Sequence, residues 1–78
     1  MSRQILKRAP LPQGRCEMKA EIVLVFLTHN TTHPYVTWQR NVEEDSTYWG
    51  HYFETREKAE ADFTERCVRL RAGEVVDG

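Results

Sequence analysis

The sequence predicts an α+β fold: a three-stranded antiparallel β-sheet in β-β-β-α order, with one C-terminal helix packed on one face. Three segments rich in β-branched and aromatic residues come first, and a segment with helical apolar spacing follows them. The connections between these segments are short, which favours antiparallel neighbours over parallel crossovers. A chain of 78 residues suits one domain.

The first predicted strand covers residues 21–28 and contains a run of six apolar residues. Side chains alternate along a strand, so its apolar residues divide between the two faces of the sheet. One helix covers only one face, and the opposite face therefore needs another cover. We expect a second copy of the chain or a protein partner to bury that second set, and the N-terminal arm is the remaining alternative. The candidate dimer or partner face consists of Val23, Val25 and Leu27.

The second and third predicted strands cover residues 35–42 and 47–53, with a polar hairpin tip over residues 43–46. We expect Trp38, Trp49 and Phe53 to pack beneath the helix. The remaining aromatic and polar side chains then lie on the open side of the sheet and form the candidate binding face: Tyr35, Thr37, Gln39, Tyr48 and Tyr52.

The predicted helix begins after Thr55, which suits an N-cap, and ends before Gly73, which suits the C′ position. Its apolar residues recur at helical spacing and predict the stripe that faces the sheet: Ala59, Phe63, Cys67 and Leu70. We expect residues 18–73 to form the domain and residues 74–78 to fray.

Residues 1–17 contain Pro10, Pro12 and Gly14 and show no regular apolar period, which is typical of a flexible arm. The first 20 residues hold five basic residues against one acidic residue, and the other 58 hold six against eleven. The charge is therefore +4 on the first part and −5 on the rest. The candidate basic residues of the arm are Arg3, Lys7, Arg8 and Arg15.

Catalytic and metal motifs are weak in this sequence. His29 and His33 lie in a predicted loop without the further ligands that zinc requires, and residues 43–45 are acidic but consecutive at a hairpin tip. Cys16 and Cys67 are expected to be free thiols. We therefore expect no enzyme activity and no cofactor. Because no secretion signal or membrane-length apolar run is present, we expect a cytoplasmic protein without membrane contact.

Two families share short stretches with this chain. The run Tyr48-Trp49, Phe53-Glu54-Thr55, Glu57, Ala59 and Phe63 resembles the last strand and helix of the plant ethylene-response-factor DNA-binding domain. That fold, shared with integrase arm-binding domains, lays a three-stranded sheet in the DNA major groove. The matching run covers about 20 residues and lacks that family's arginine-rich first strands. Trp49-Gly50-His51 and Trp38-Gln39-Arg40 each resemble the motif of the Trp-Gly-Arg domain with one residue changed.

Two functions remain open on this basis. The first is a small non-catalytic interaction module, of the kind encoded by phages and mobile elements, that binds a protein partner or itself through the open sheet face. The alternative is a DNA-binding domain that uses this face together with the basic arm.

Overall fold

The computed structural model describes residues 3–12, 20–29, 32–44 and 46–77. These residues form one antiparallel sheet of strand order β4-β3-β2-β1-β5 and one helix. The elements in chain order are β1 (Arg3–Pro10), β2 (Ala20–Leu27), β3 (Tyr35–Asn41), β4 (Ser46–Phe53), α1 (Arg56–Arg69) and β5 (Val76–Asp77). The predicted α+β class, with an antiparallel sheet and one helix, is confirmed.

The predicted number of strands is wrong, because the sheet has five strands and not three. Both additional strands come from segments that we expected to be irregular. Residues 3–10 of the expected arm form β1, which pairs along β2 from Arg3↔Leu27 to Pro10↔Glu21. Residues 76–77 of the expected frayed tail form β5, which pairs with Lys7 and Arg8 of β1. Residues 13–17 of the expected arm, Cys16 among them, lie outside the described residues.

An irregularity in β1 explains why its apolar pattern is hard to recognise. The register with β2 shifts between Ile5 and Lys7, so that Leu6 is an extra residue in the strand. Ile5 packs on one face of the sheet, while Leu6 packs on the other face, beneath the helix. Lys7 also lies on the helix side and pairs with Glu60 of α1 at 2.7 Å. A bulge of this kind removes the period of two on which the prediction of a strand depends.

The helix lies on one face of the sheet, and apolar residues are buried on both faces. On the helix side, the buried core consists of Ala9, Ile22, Leu24, Ala59 and Phe63. The predicted helix stripe is confirmed, since Cys67 and Leu70 are partly buried against this core. We call the face opposite α1 the open face; its buried cluster consists of Val23, Val25, Leu27 and Val36, with Ile5 and Trp38 packed against it.

The two ends of α1 have defined caps. The hydroxyl of Thr55 accepts a hydrogen bond from the Lys58 backbone N–H at 3.3 Å, which confirms the predicted N-cap. At the other end, Arg71 has φ 54 and occupies the left-handed C′ position, so the prediction that Gly73 fills it is wrong. The backbone N–H groups of Arg71 and Ala72 return to the helix carbonyls of Val68 and Cys67, at 3.3 and 2.9 Å.

Gly73 has a different role, which is a close approach to β1. Its N–H donates to the carbonyl of Pro10 at 2.8 Å. A Cβ added to Gly73 would lie 3.1 Å from Cγ of Pro10, so a larger residue would push the two segments apart. This contact directs the chain from the helix end toward β5.

Candidate functional site

The predicted binding face is split between the two faces of the sheet. The register of β3 places Tyr35, Thr37 and Gln39 opposite Phe26, Leu24 and Ile22 of β2, which is the helix side. Tyr48 pairs with Gln39 and lies on that side as well. Of the five predicted residues, Tyr52 alone lies on the open face, where it pairs with Val36. The two faces of β3 were therefore assigned in reverse, because both carry large side chains that suit a core.

The residues of the predicted dimer or partner face do share one face, and it is the open face. Val23, Val25 and Leu27 are 0%, 1% and 8% exposed within the single chain. They form the floor of the open face and present almost no surface of their own. A bare apolar patch at these residues, which was the reason for expecting a second copy there, is absent.

The basic residues of the expected arm are distributed by β1 to opposite sides of the sheet. Arg3 and Arg8 pair with Leu27 and Val23 of β2, which places both on the open face, and both are exposed. Lys7 lies on the helix side in its ion pair with Glu60. Arg15 lies outside the described residues. The sheet thus adds two cationic side chains to the open face.

Two aromatic rings lie on the same face as these arginines, on β3 and β4. Trp38 and Tyr52 pack edge to face, with ring centroids 6.5 Å apart and an interplanar angle of 83°. Tyr52 is 52% exposed and Trp38 is partly exposed. The indole also passes close to Gly50, where an added Cβ would be 3.5 Å from its Cε3 atom. The pair is therefore an accessible aromatic surface with a buried apolar floor.

Trp49 is not in the core, so its predicted position beneath the helix is wrong. The register between β3 and β4 shifts at this point, and Trp49 lies in the irregularity with φ 56 and 70% exposure. Its ring packs edge to face on Tyr48, with centroids 4.9 Å apart. An exposed tryptophan with a left-handed backbone is uncommon, since bulky residues are strained in this region.

A buried arginine supports this irregular part of β4 from the helix. Arg66 is 2% exposed, and its Nη2 donates to the carbonyl of Trp49 at 2.6 Å. Asp62 lies 3.2 Å from Nε of the same guanidinium. The carboxylate of Asp62 also accepts a hydrogen bond from the Thr37 hydroxyl at 2.5 Å, and it lies 3.4 Å from Nδ1 of His51. Asp62 and Arg66 are four residues apart in the helix, and their ion pair is largely withdrawn from solvent.

The Thr37–His51–Asp62–Arg66 cluster has the residue types of an acid–base site, yet its geometry is that of a structural network. The Nε and Nη1 atoms of Arg66 are fully buried without a further hydrogen-bond partner. The Nη2 atom of Arg66 bonds the Trp49 carbonyl and its Nε lies beside the Asp62 carboxylate, so the guanidinium joins α1 to β4. We therefore interpret the cluster as the link that holds α1 to the irregular part of β4.

The pKa values of Glu60 and Cys67 depart from their ordinary range. The hydrogen bond from Lys7 lowers the pKa of the Glu60 carboxyl, and the charges of Lys7 and Arg56 act in the same direction. Burial raises the pKa of the Cys67 thiol, which keeps this free cysteine protonated and poorly reactive.

Small-molecule and metal sites find little support in the described residues. A shallow cleft of about 260 Å³ between β1 and the helix end is lined by Pro10, Leu11, Pro12, Arg71 and Gly73. Its lining is apolar with one arginine, and it holds no pair of groups for acid–base chemistry.

Within residues 3–12, 20–29, 32–44 and 46–77, His, Cys, Asp and Glu side chains form no cluster of three or more suited to a metal. The helix in these ranges is too short and too polar to cross a membrane.

A sequence signal for Arg66 exists, whereas the signal for the open face is weak. Arg66 follows Phe63 by three residues and Ala59 by seven, so helical spacing places it on the apolar stripe. For the open face, the arginines of β1 are informative only once residues 3–10 are recognised as a strand.

Comparisons of the chain with protein-family models, with curated proteins and with solved structures return no match.

Proposed function

We propose that the protein is a non-catalytic binding module whose open face binds nucleic acid. One observation carries this proposal: Arg3 and Arg8 lie on the same face as the Trp38–Tyr52 pair. Aromatic rings and cationic side chains on one sheet face are the combination that takes bases and phosphates together. This observation also reverses the order of the two functions that the sequence leaves open, since the apolar patch expected for self-association is buried.

The charge distribution supports this choice despite a net charge of −1. The open face also carries Arg40 and Glu21, and these two are paired at 2.7 Å, so they nearly cancel. The acidic side chains Glu60 and Asp62 lie between the helix and the opposite face of the sheet. Arg8 is an exposed cation of the open face, and its charge favours the approach of a polyanion.

The test is a salt titration with a charge-matched control. Fluorescence anisotropy of labelled oligonucleotides is measured for the wild type, for the Arg3→Gln/Arg8→Gln double variant and for Lys58→Gln/Arg69→Gln on the helix. Two phosphate contacts to a single strand predict a log–log salt slope of roughly −1.4. We expect the open-face variant to lose most of this slope, and the helix variant, with the same change in net charge, to keep it.

Two outcomes contradict nucleic-acid binding. One is the absence of any anisotropy change with the wild type at low salt. The other is an equal loss of affinity in both double variants, because binding would then depend on the net charge of the protein and not on the position of the arginines on the open face.

The second candidate function is binding to a protein partner or to a second copy of the chain, and Trp49 favours it. Exposed tryptophans are frequent anchors of protein interfaces, and this one is 70% exposed. Sedimentation equilibrium of the wild type and of Trp49→Ala tests self-association through this residue. We expect the wild type to associate and the variant to be monomeric if this candidate is correct. A wild type that remains monomeric at high concentration excludes the second copy.

A further inference from the structure

The register of the open face aligns its side chains in rows that run across the strands. One row joins Tyr52, Val36, Val25 and Ile5, and the next joins Trp38, Val23, Arg8 and Val76. Neighbouring strands lie about 4.8 Å apart, so Arg8 is about 10 Å from Trp38, with the buried Val23 between them. A ligand that lies along the second row contacts Trp38 first and then Arg8.

The rings at one end of these rows are suited to an unpaired base. Trp38 and Tyr52 stand nearly perpendicular to each other, and both reach solvent. Stacking on such rings requires a base whose π-face is free. In a duplex those faces are already stacked on neighbouring bases, and only the base edges and the backbone are exposed.

The cations lie on one side of the rings and not on both. Arg3 and Arg8 belong to β1, and the remaining described cation of this face, Arg40, is bound to Glu21. A sheet that enters a duplex groove runs between two phosphate backbones and gains from cations on both of its sides. Cations on one side of the aromatic rings suit a ligand with one backbone.

We propose that the open face selects single-stranded nucleic acid, with a base stacked on the Trp38–Tyr52 pair and a neighbouring phosphate bound by Arg8. This inference rests on the proposed function and specifies its ligand. In this arrangement the rings contact the bases, and β1 contacts the sugar–phosphate backbone. The strand then lies across the sheet, along the rows that join β4 to β1.

The test compares three probes of equal length: an oligo-dT strand, the same strand with abasic sites, and a duplex. The stacking of a base on an aromatic ring is worth roughly tenfold in affinity. We therefore expect oligo-dT to bind roughly tenfold more tightly than the abasic strand, which keeps the phosphates. We expect the duplex to bind no better than the abasic strand.

Tyr52→Ala and Tyr52→Phe separate stacking from folding, because Tyr52 is exposed and pairs at the sheet edge. The alanine variant should remove much of the difference between oligo-dT and the abasic strand, while the phenylalanine variant should restore it. In a Trp49→Phe background, stacking should also quench the fluorescence of Trp38. Circular dichroism confirms that each variant is folded.

The outcomes of this test separate the inference from the proposed function. Equal affinity for oligo-dT and the duplex overturns strand selection and leaves nucleic-acid binding in place. Equal affinity for oligo-dT and the abasic strand overturns stacking. The absence of binding to all three probes overturns both proposals, and the surface then belongs to a protein partner.

Discussion

Trp49 has a left-handed backbone conformation, which glycine adopts most readily. The glycine of this segment, Gly50, is the next residue in the chain and does not occupy that position. The φ of Trp49 is 56, while Gly50 remains in the ordinary region of a strand. For residues with a Cβ, a left-handed backbone costs about 1–2 kcal/mol. The hydrogen bond from buried Arg66 to the Trp49 carbonyl helps to offset this cost. The arrangement keeps a large ring exposed at the edge of the sheet.

We predict that a glycine variant is more stable than the alanine variant at Trp49 and less stable than it at Thr47, two positions on β4. At Trp49, the glycine variant should be more stable than the alanine variant by about 1 kcal/mol, because only alanine is strained there. At exposed Thr47, glycine should be less stable than alanine by about 0.5–1 kcal/mol, because it weakens a regular strand. Urea denaturation of the four variants measures both differences. If glycine is the less stable residue at both positions, the backbone at Trp49 is not strained.

The position of a side chain follows from the sequence where one rule determines it, and it does not where two rules compete. Thr55 and Phe63 follow directly from capping chemistry and helical spacing, and the structure places both as predicted. Trp38 and Trp49 were assigned to the core because they are large and apolar. The register of β3 with β2 places Trp38 on the open face, and the irregular register between β3 and β4 leaves Trp49 exposed.

At the element scale, the Lys7–Glu60 ion pair connects β1 to α1 at 2.7 Å. Lys7 lowers the pKa of Glu60 in the folded protein, so the folded state binds this proton less tightly than the unfolded state does. The contribution of the pair is therefore fully present above the ordinary carboxyl pKa of 4.5, and it is lost as the pH falls below that value. Both side chains are partly exposed, so screening by solvent keeps the effect small.

We predict that Glu60→Gln reduces the loss of stability on acidification. The free energy of unfolding of the wild type should fall more steeply below the ordinary carboxyl pKa than that of the variant, and above it the wild type should be slightly more stable. Urea titrations over this pH range measure the difference. Lys7→Gln should have the same effect as Glu60→Gln, and the double variant should add little to either. Parallel pH profiles of wild type and Glu60→Gln would show that the pair is not coupled to folding.

The elements differ in how well the sequence identifies them, and the reason is periodicity. α1 and strands β2 to β4 have either helical spacing or a dense set of strand-forming residues, and their approximate positions follow from the sequence. In β1 the bulge places the neighbours Leu6 and Lys7 on the same face, which breaks the alternation of a regular strand, and the nearby prolines are typical of a loop. β5 has two residues, which is too short for any period.

For the whole molecule, the location of β1 changes what the N-terminal segment contributes. A flexible arm is removable without harm to the domain, whereas β1 lies between β2 and β5 in the sheet. It contributes the fully buried Ala9 and the packed side chains of Ile5 and Leu6. Point substitutions, and not deletion of this segment, are therefore the way to test its role in binding.

We predict that deletion of residues 1–10 abolishes cooperative folding. The deletion removes one of the two partner strands of β2 and uncovers apolar side chains on both faces, including Ile22 and Val25. A domain of this size has about 5 kcal/mol of total stability, and losing a strand with its core contacts exceeds that reserve. The Arg3→Gln/Arg8→Gln variant is the control, because it removes the charges of β1 and leaves the strand in place. Thermal melts followed by circular dichroism should show a sharp transition for this control and none for the deletion. A deletion variant that melts cooperatively near the wild-type temperature would show that β1 is dispensable, and the cations would then lie on a detachable arm.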